Sequence, residues 1–282
     1  MLTPETYTLN LRGRLYSLAS PKVMAIINVT PDSFFPGSRT PDRTSIESRV
    51  ETAIAQGADM LDIGGYSSRS GAPEVSEDEE YCRLASGLEI IRRKAPDAIV
   101  SVDTFRAGVA RRCVLEWGAD IINDISAGML DPLMAPVAAE LGTPVVLMHM
   151  RGTPATMQSL TDYRDPVADV ISELAERISI FRSHGVADVI ADPGFGFAKT
   201  TEQNYRLMRH LEEFRALECP LLVGISRKSM IYRPLGITPS EALPGTTALN
   251  MASLLKGAAI LRVHDVAEAV QTVRIFNLLS HA

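Results

Sequence analysis

"GADMLDIG", residues 57–64, opens on a glycine and runs at once into the apolar stretch Met60-Leu61-Asp62-Ile63. A glycine that ends a helix and leads directly into a buried strand is the punctuation of a repeating helix–strand unit. The device returns in "GADIIND" from Gly118, "GVADVIAD" from Gly185 and "GAAILRVHD" from Gly257. Four more short apolar runs lie around these: "VMAIIN" (23–28), "IVSVDT" (99–104), "PVVLMHM" (144–150) and "PLLVGIS" (220–226). All eight are rich in Val, Ile and Leu and nearly continuous, as expected of parallel strands covered on both faces.

Helical patterns fill the intervals. "TSIESRVETAIAQG" puts Ile46, Val50, Ala53 and Ile54 on one face, and Thr44 with Glu47 has capping-box spacing. Ser76 and Glu79 repeat that spacing ahead of Leu84, Leu88 and Ile91. "DPLMAPVAAELG" and "DPVADVISELAERISIFRSHG" both open with Asp-Pro, a cap followed by proline at the first helical position. "FRAGVARRCVLEWG" and "TTALNMASLLKG" are shorter helices of the same kind, with Trp117 on an inner stripe beside Val109 and Cys113. The acidic run "EVSEDEE" (74–80) reads as a helix N-terminus favoured by the dipole. The alternating "YTLNLRGRLYSL", with Arg12-Gly13 near its middle, reads as a hairpin closing one end. Eight strand–helix units predict an α/β fold, a (β/α)8 TIM barrel with a short N-terminal β-hairpin, in one domain over residues 1–282. A doubly wound open sheet is the competing arrangement.

The 282 residues are 46% hydrophobic and 22% charged, the composition of an ordinary globular protein. A net charge of −6 argues against nucleic-acid or anionic-membrane partners, so any anionic ligand depends on local Arg, Lys and backbone N–H groups. Cys82, Cys113 and Cys219 are scattered without metal-type spacing and read as free thiols of a reducing compartment. No signal-peptide core and no membrane-length apolar run is present, so a cytoplasmic location is expected.

In such barrels the chemistry gathers at the C-terminal ends of the strands. The apolar runs terminate in Asn28, Asp62, Asp103, Asn123, His149, Asp192, Ser226-Arg227-Lys228, and Arg262 with His264. A structural barrel needs none of these, because an unpartnered buried charge costs several kcal/mol. Asp103, Asn123, Asp192 and Lys228 suit a flat heterocycle that displays N–H donors beside acceptors. Arg69, Arg262 and His264 form a cationic set which, with Asn28, suits a phosphate-like group. Asn28 also has a neutral oxygen fit for Mg²⁺ alongside phosphate oxygens and waters. "DIGGYSSRSGA" and "DPGFGF" (192–197) are glycine-rich loops that let backbone approach a ligand, the second with two aromatics to cover a ring. His149 reads as a packed, hydrogen-bonded residue or as a support to the site, whereas His184, His210 and His281 read as solvated.

"NVTPDSF" (28–34), "DIGGYSSR" (62–69), "SVDT" (101–104), "INDISAG" (122–128), "LMHMRG" (147–152), "DPGFGF" (192–197), "GISRKSM" (224–230) and "RVHDV" (262–266) resemble, in order, the motifs of the dihydropteroate synthase family. The likeness covers residues from about 22 to 270, nearly the whole chain. The resemblance implies a pterin-binding TIM barrel, usually a homodimer, that joins 6-hydroxymethyl-7,8-dihydropterin pyrophosphate to 4-aminobenzoate in a Mg²⁺-assisted, SN1-like step of folate biosynthesis. It implies a pterin pocket of Asp103, Asn123, Met148, Asp192, Phe197, Gly224 and Lys228. Pyrophosphate would be held by Asn28, Ser68, Arg69, Arg262 and His264, with Asn28 on the metal. Phe34, Ser68, Lys228 and Ser229 would frame the aminobenzoate. Asp103, Lys228, Arg262, His264 and Asp32 would carry the chemistry, with the segment after Asn28 acting as a lid.

Tyr66, Ser68 and Ser70 depart from the family's usual Glu, Thr and Pro, and the lid reads "SFFPGSR", bringing in Phe35-Pro36. None of these removes a charge from the chemistry. A pterin-dependent methyltransferase would have no use for the pyrophosphate-binding set, and a non-catalytic pterin binder would not need Asn28, Arg262 and His264 intact. The C-terminal "VAEAVQTVRIFNLL" offers apolar residues for a dimer surface.

Overall fold

A computed structural model describes residues 7–30, 43–67 and 74–281. Two antiparallel strands, β1 (Thr8–Leu11) and β2 (Arg14–Ser17), make the hairpin, which turns at Arg12 and Gly13, both with positive φ. Eight parallel strands follow: β3 (Lys22–Asn28), β4 (Met60–Gly64), β5 (Ile99–Asp103), β6 (Ile121–Asp124), β7 (Val145–Met148), β8 (Val189–Asp192), β9 (Leu221–Val223) and β10 (Ala258–Val263). They close in sequence order, with β10 pairing β3. Closure excludes the open sheet.

The helices are α1 (Arg43–Ala55), α2 (Glu77–Lys94), α3 (Ala107–Trp117), α4 (Met134–Leu141), α5 (Pro166–Ser183), α6 (Thr201–Arg209), α7 (Ser229–Leu235), α8 (Leu243–Leu255) and α9 (Val266–His281). Gly57, Gly118, Gly185 and Gly257 all have positive φ, between 64° and 98°, so the four repeat glycines do turn the chain from helix into strand. Local details differ from expectation. Ile54 is 39% exposed, and Thr44 lies inside α1 and not at its cap. Asp131 forms a turn whose Oδ1 accepts from the Leu133 N–H, and α4 begins only at Met134. Asp165 does cap α5, accepting from the Val167 N–H at 3.0 Å, with Pro166 next. The acidic run does form the first turn of α2, and its Glu80 is fully buried and paired with Arg106 at 2.6 Å. Helices α6 and α7 had no clear sequence pattern.

Strand parity decides where the polar residues go. Val23, Ala25, Ile27, Leu61, Ile63, Val100, Val102, Val145, Leu147, Leu261 and Val263 point outward into the layer shared with the helices. Met24, Met60, Ile121, Val146, Ile190, Leu222 and Ile260 point inward and fill the bottom of the barrel, where Leu9, Leu11 and Leu18 of the hairpin seal it. Side chains alternate along a strand. Two or four residues above those inward positions, and above Ile99, which packs against them, therefore stand Asn28, Asp62, Asp103, Asn123, Met148, Asp192, Gly224 and Arg262, all turned toward the upper lumen. No described helix is long and apolar enough to cross a membrane.

Candidate active site

Arg262 is the centre of this upper layer. Its Nε donates to Asp62 Oδ2 at 2.6 Å and its Nη2 to Asp103 Oδ2 at 2.7 Å. Asn123 Nδ2 donates to the same Asp62 oxygen at 3.1 Å. Asp62 is completely buried, and its Oδ1 has no hydrogen-bond partner among the described residues. Burial pushes the Asp103 carboxyl up to about 7 against the pull of Arg262, and the nearby Asp62 adds to the rise. For Arg262 the balance is the reverse: burial disfavours its charge, but Asp62 and Asp103 more than offset that and hold it protonated. Asp103 is therefore a carboxyl whose ionisation is shifted toward neutrality, beside a permanent cation.

The loop after β8 supplies the opposite wall. Asp192 Oδ1 accepts from the Gly194 N–H at 2.8 Å, and burial raises its pKa despite Lys228. Gly194 is obligatory: a Cβ there would overlap the His149 carbonyl oxygen. Of the two aromatics in "DPGFGF", Phe195 is buried in the main core, and only Phe197 joins the apolar patch that includes Met148, Ile125, Met150 and Phe105. Lys228 lies with its Nζ 4.8 Å from the Phe197 ring centre and donates to the Phe195 carbonyl at 2.5 Å. Burial brings its pKa down to about 8. Ser229 is the first residue of α7, directly after Lys228. Asp103, Asn123, Asp192 and Lys228 line the upper lumen, with Met148 and Phe197 in the apolar patch beside them; these are the residues the sequence grouped as a heterocycle set.

At the other end stands His264, one residue beyond β10. The Ser226 hydroxyl oxygen accepts from the His264 N–H at 3.2 Å and lies 3.1 Å from Nδ1. With that hydroxyl donating to Nδ1, Nε2 carries the ring hydrogen. Burial, reinforced by Arg262, pushes His264 down to about 4, so its ring is neutral at pH 7 and not the cation expected from the sequence. Arg262 Nη1 makes no hydrogen bond among the described residues, which leaves it beside the neutral His264 ring as a donor for an anion. Asn28 closes β3 opposite Gly64. No group of three or more His, Cys, Asp or Glu that would hold a metal by itself occurs among the described residues. A single neutral oxygen donor fits Mg²⁺, a cation that usually keeps waters and substrate phosphates in its shell.

Asp32, Phe34, Ser68 and Arg69, with the lid and the Phe35-Pro36 and Ser70 departures, lie outside the described residues. Tyr66 meets Phe105 edge to face at 5.2 Å, with the Arg106 guanidinium 5.5 Å from its ring. Two residues gain roles that sequence reading did not assign. Asp62 was visible as a strand end, but its grip on Arg262 depends on a partner 200 positions away. Lys199, buried behind the site, sits in "FAKTTE", which reads as a lead-in to a helix.

Residues 24–264 match the family described as pterin binding enzyme. The dihydropteroate synthase of Escherichia coli strain K12 is 42% identical over 266 residues, covering 94% of this chain and 93% of the relative. The Xanthomonas albilineans dihydropteroate synthase, solved with 4-aminobenzoic acid, superposes with a TM-score of 0.90 at 36% identity over 99% of this chain and all of that one. The Yersinia pestis enzyme, solved as a sulfonamide drug complex, gives 0.90 at 38% identity over 98% and 99%. A barrel closed in sequence order, a polar upper lumen and full-length likeness to these enzymes agree: the chain belongs to the dihydropteroate synthases of the pterin-binding enzyme family.

Proposed function

We infer that the protein joins 6-hydroxymethyl-7,8-dihydropterin pyrophosphate to 4-aminobenzoate, releasing pyrophosphate and 7,8-dihydropteroate. The observation that carries this reading is Arg262, held at 2.6 and 2.7 Å by Asp62 and Asp103, at the junction of the heterocycle walls and the anion end. One ligand with both a flat donor-rich ring and an anionic tail fits that junction.

The chemistry follows from where charge develops. The bond between the exocyclic CH₂ and the pyrophosphate oxygen breaks first, leaving a delocalised cation on the pterin. The Asp103 carboxylate lies in a buried site with little screening by water, where its field on that cation is strong. Arg262 faces the negative charge gathering on the leaving group, and the neutral His264 donates from Nε2. Asn28 would hold Mg²⁺, which supplies divalent charge to the leaving pyrophosphate when bound. The aniline nitrogen then attacks the CH₂ carbon, forms the new C–N bond and loses a proton to solvent. No covalent intermediate on the protein is required. Lys228, kept near pKa 8, serves as a hydrogen-bond donor to the pterin ring.

The same reading makes the protein a cytoplasmic homodimer. Leu255 of α8 and Ile275, Leu278 and Leu279 of α9 are exposed apolar side chains on two helices that pack together, a patch suited to a second copy. Light scattering of the Leu278→Glu variant should report a monomer.

The test of the activity is pyrophosphate release from purified protein given the pterin pyrophosphate, with and without 4-aminobenzoate and with Mg²⁺ or excess chelator. Release that needs Mg²⁺ and yields dihydropteroate with the aminobenzoate is the expected result. Tight pterin binding without release would leave a binding protein only.

A further inference from the structure

Beneath the loop after β8, Lys199 is buried to 4% exposure and makes no salt bridge among the described residues. Its Nζ lies 2.9 Å from His149 Nδ1, 3.1 Å from the Gly194 carbonyl and 3.0 Å from the Phe197 carbonyl. Three acceptors are the full complement of an ammonium group. His149 Nε2 faces Glu173 at 2.9 Å, so His149 accepts from Lys199 and donates to Glu173. Glu173 is in turn held by the Arg151 guanidinium, whose Nε donates to it at 3.1 Å.

This chain of contacts ends on a tightly turned loop. Gly194, Gly196 and Ala198 all have positive φ, and Ala198 bears steric strain there that a glycine would not. The loop they shape carries the proposed pterin face: Asp192 and Phe197 would border the ring, and the Phe195 carbonyl receives Lys228. The carbonyls of residues 194 and 197 turn down to Lys199, and that of residue 195 turns to Lys228.

We propose that Lys199 is a positioning residue for the pterin substrate: through His149 and the Gly194 and Phe197 carbonyls it fixes the loop that sets Asp192, Phe197 and Lys228 against the ring. The proposal rests on the pterin reading given above for what the loop binds. A buried lysine is costly, and burial does bring Lys199 down to about 7, with Asp192 and Glu173 holding the charge and Lys228 and Arg151 opposing it. That cost is understandable if a rigid loop is needed. Simple core filling at this position would be met by Met or Leu.

The test is Lys199→Met, close in length and without donors, with Lys199→Gln, which keeps two donors on a shorter stem. Each is compared with the wild-type protein by thermal melting, by calorimetric binding of the pterin pyrophosphate, and by the two substrates' KM values. Lys199→Met should stay folded and weaken pterin pyrophosphate binding on the order of tenfold, the equivalent of one buried hydrogen bond, with Lys199→Gln in between. The KM for 4-aminobenzoate should move less than about twofold, because Lys199 reaches that site only indirectly, through the Phe195 carbonyl and Lys228. Unchanged pterin affinity in a folded variant would overturn the proposal. So would a parallel rise of both KM values, or loss of folded protein in both variants, which would make Lys199 a packing residue. A wild-type protein that binds the pterin but makes no dihydropteroate would sink the proposed activity and leave the calorimetric comparison intact.

Discussion

Replacing Asp62 by asparagine tests the ionic junction at Arg262 without changing its shape. The new amide keeps an oxygen to accept from Arg262 Nε, which now stands 2.6 Å from the carboxylate, and only the charge is lost. Asp62 is among the causes that raise Asp103 to about 7, after burial, which is the largest, and against Arg262. Two carboxylates gripping one guanidinium stand on the order of 6 Å apart, where like charges repel by about 3 kcal/mol at an effective dielectric near 20. That is about two pH units of titration at most, and relaxation of the side chains reduces it. In the Asp62→Asn variant the Asp103 carboxyl becomes easier to ionise, and all of Arg262's pull falls on it. Catalysis needs the ionised form, because the carboxylate faces a developing cation. The wild-type rate should therefore rise with pH through about 7, and the rising limb of Asp62→Asn should sit lower by about one pH unit or more. The assay is kcat/KM for the pterin pyrophosphate against pH, which reports groups of the free protein, with pyrophosphate release as the readout. A limb that stays put or moves up would refute the coupling, and with it the claim that Asp103 is the group being titrated. The Asp103→Asn variant supplies the control, since it should lose turnover and the limb together while keeping its fold.

Three more substitutions test neighbouring parts of the argument. Arg262→Ala leaves Asp62 and Asp103 facing each other in a buried site, so about 3 kcal/mol of stability should be lost together with pyrophosphate binding. Asp103, already raised by burial, then loses its cation and rises further above its unfolded pKa. The variant should therefore recover stability as pH falls and lose it as pH rises, which melts at pH 5 and pH 8 would show. Gly194→Ala and Gly142→Ala share a positive φ, but only the first drives a Cβ into a carbonyl oxygen, whereas nothing lies within 4 Å of the second. Thermal melts should show about 1 kcal/mol lost at Gly142 and at least about 3 kcal/mol at Gly194, with the pterin wall disrupted as well.

How much of this was legible in the sequence follows from the range over which each feature is determined. The barrel is a local matter repeated: a glycine, a short apolar run and an amphipathic helix occur within each unit, and right-handed connection of successive parallel strands leaves few ways to assemble them. The identities of the strand-end residues were legible for the same reason, and parity along each strand explains why they share the lumen. What could not be read was their pairing. Sequence reasoning placed Arg262 with the anion and Asp103 with the ring, as two sets. The fold instead joins them across 159 positions through a 2.7 Å hydrogen bond. The charge state of His264 was lost in the same way, since neutrality comes from burial and from Arg262, neither of which its neighbours in "RVHDV" announce. Lys199 shows the limit most plainly. Its acceptors lie 50, 5 and 2 positions back along the chain, and only the positive φ of Gly194 and Ala198 turns the two carbonyls beneath the loop to meet it. A site whose parts come from eight strand ends is legible residue by residue. Its electrostatics belong to the closed barrel, because each group's charge is set by partners that only closure brings within hydrogen-bonding distance.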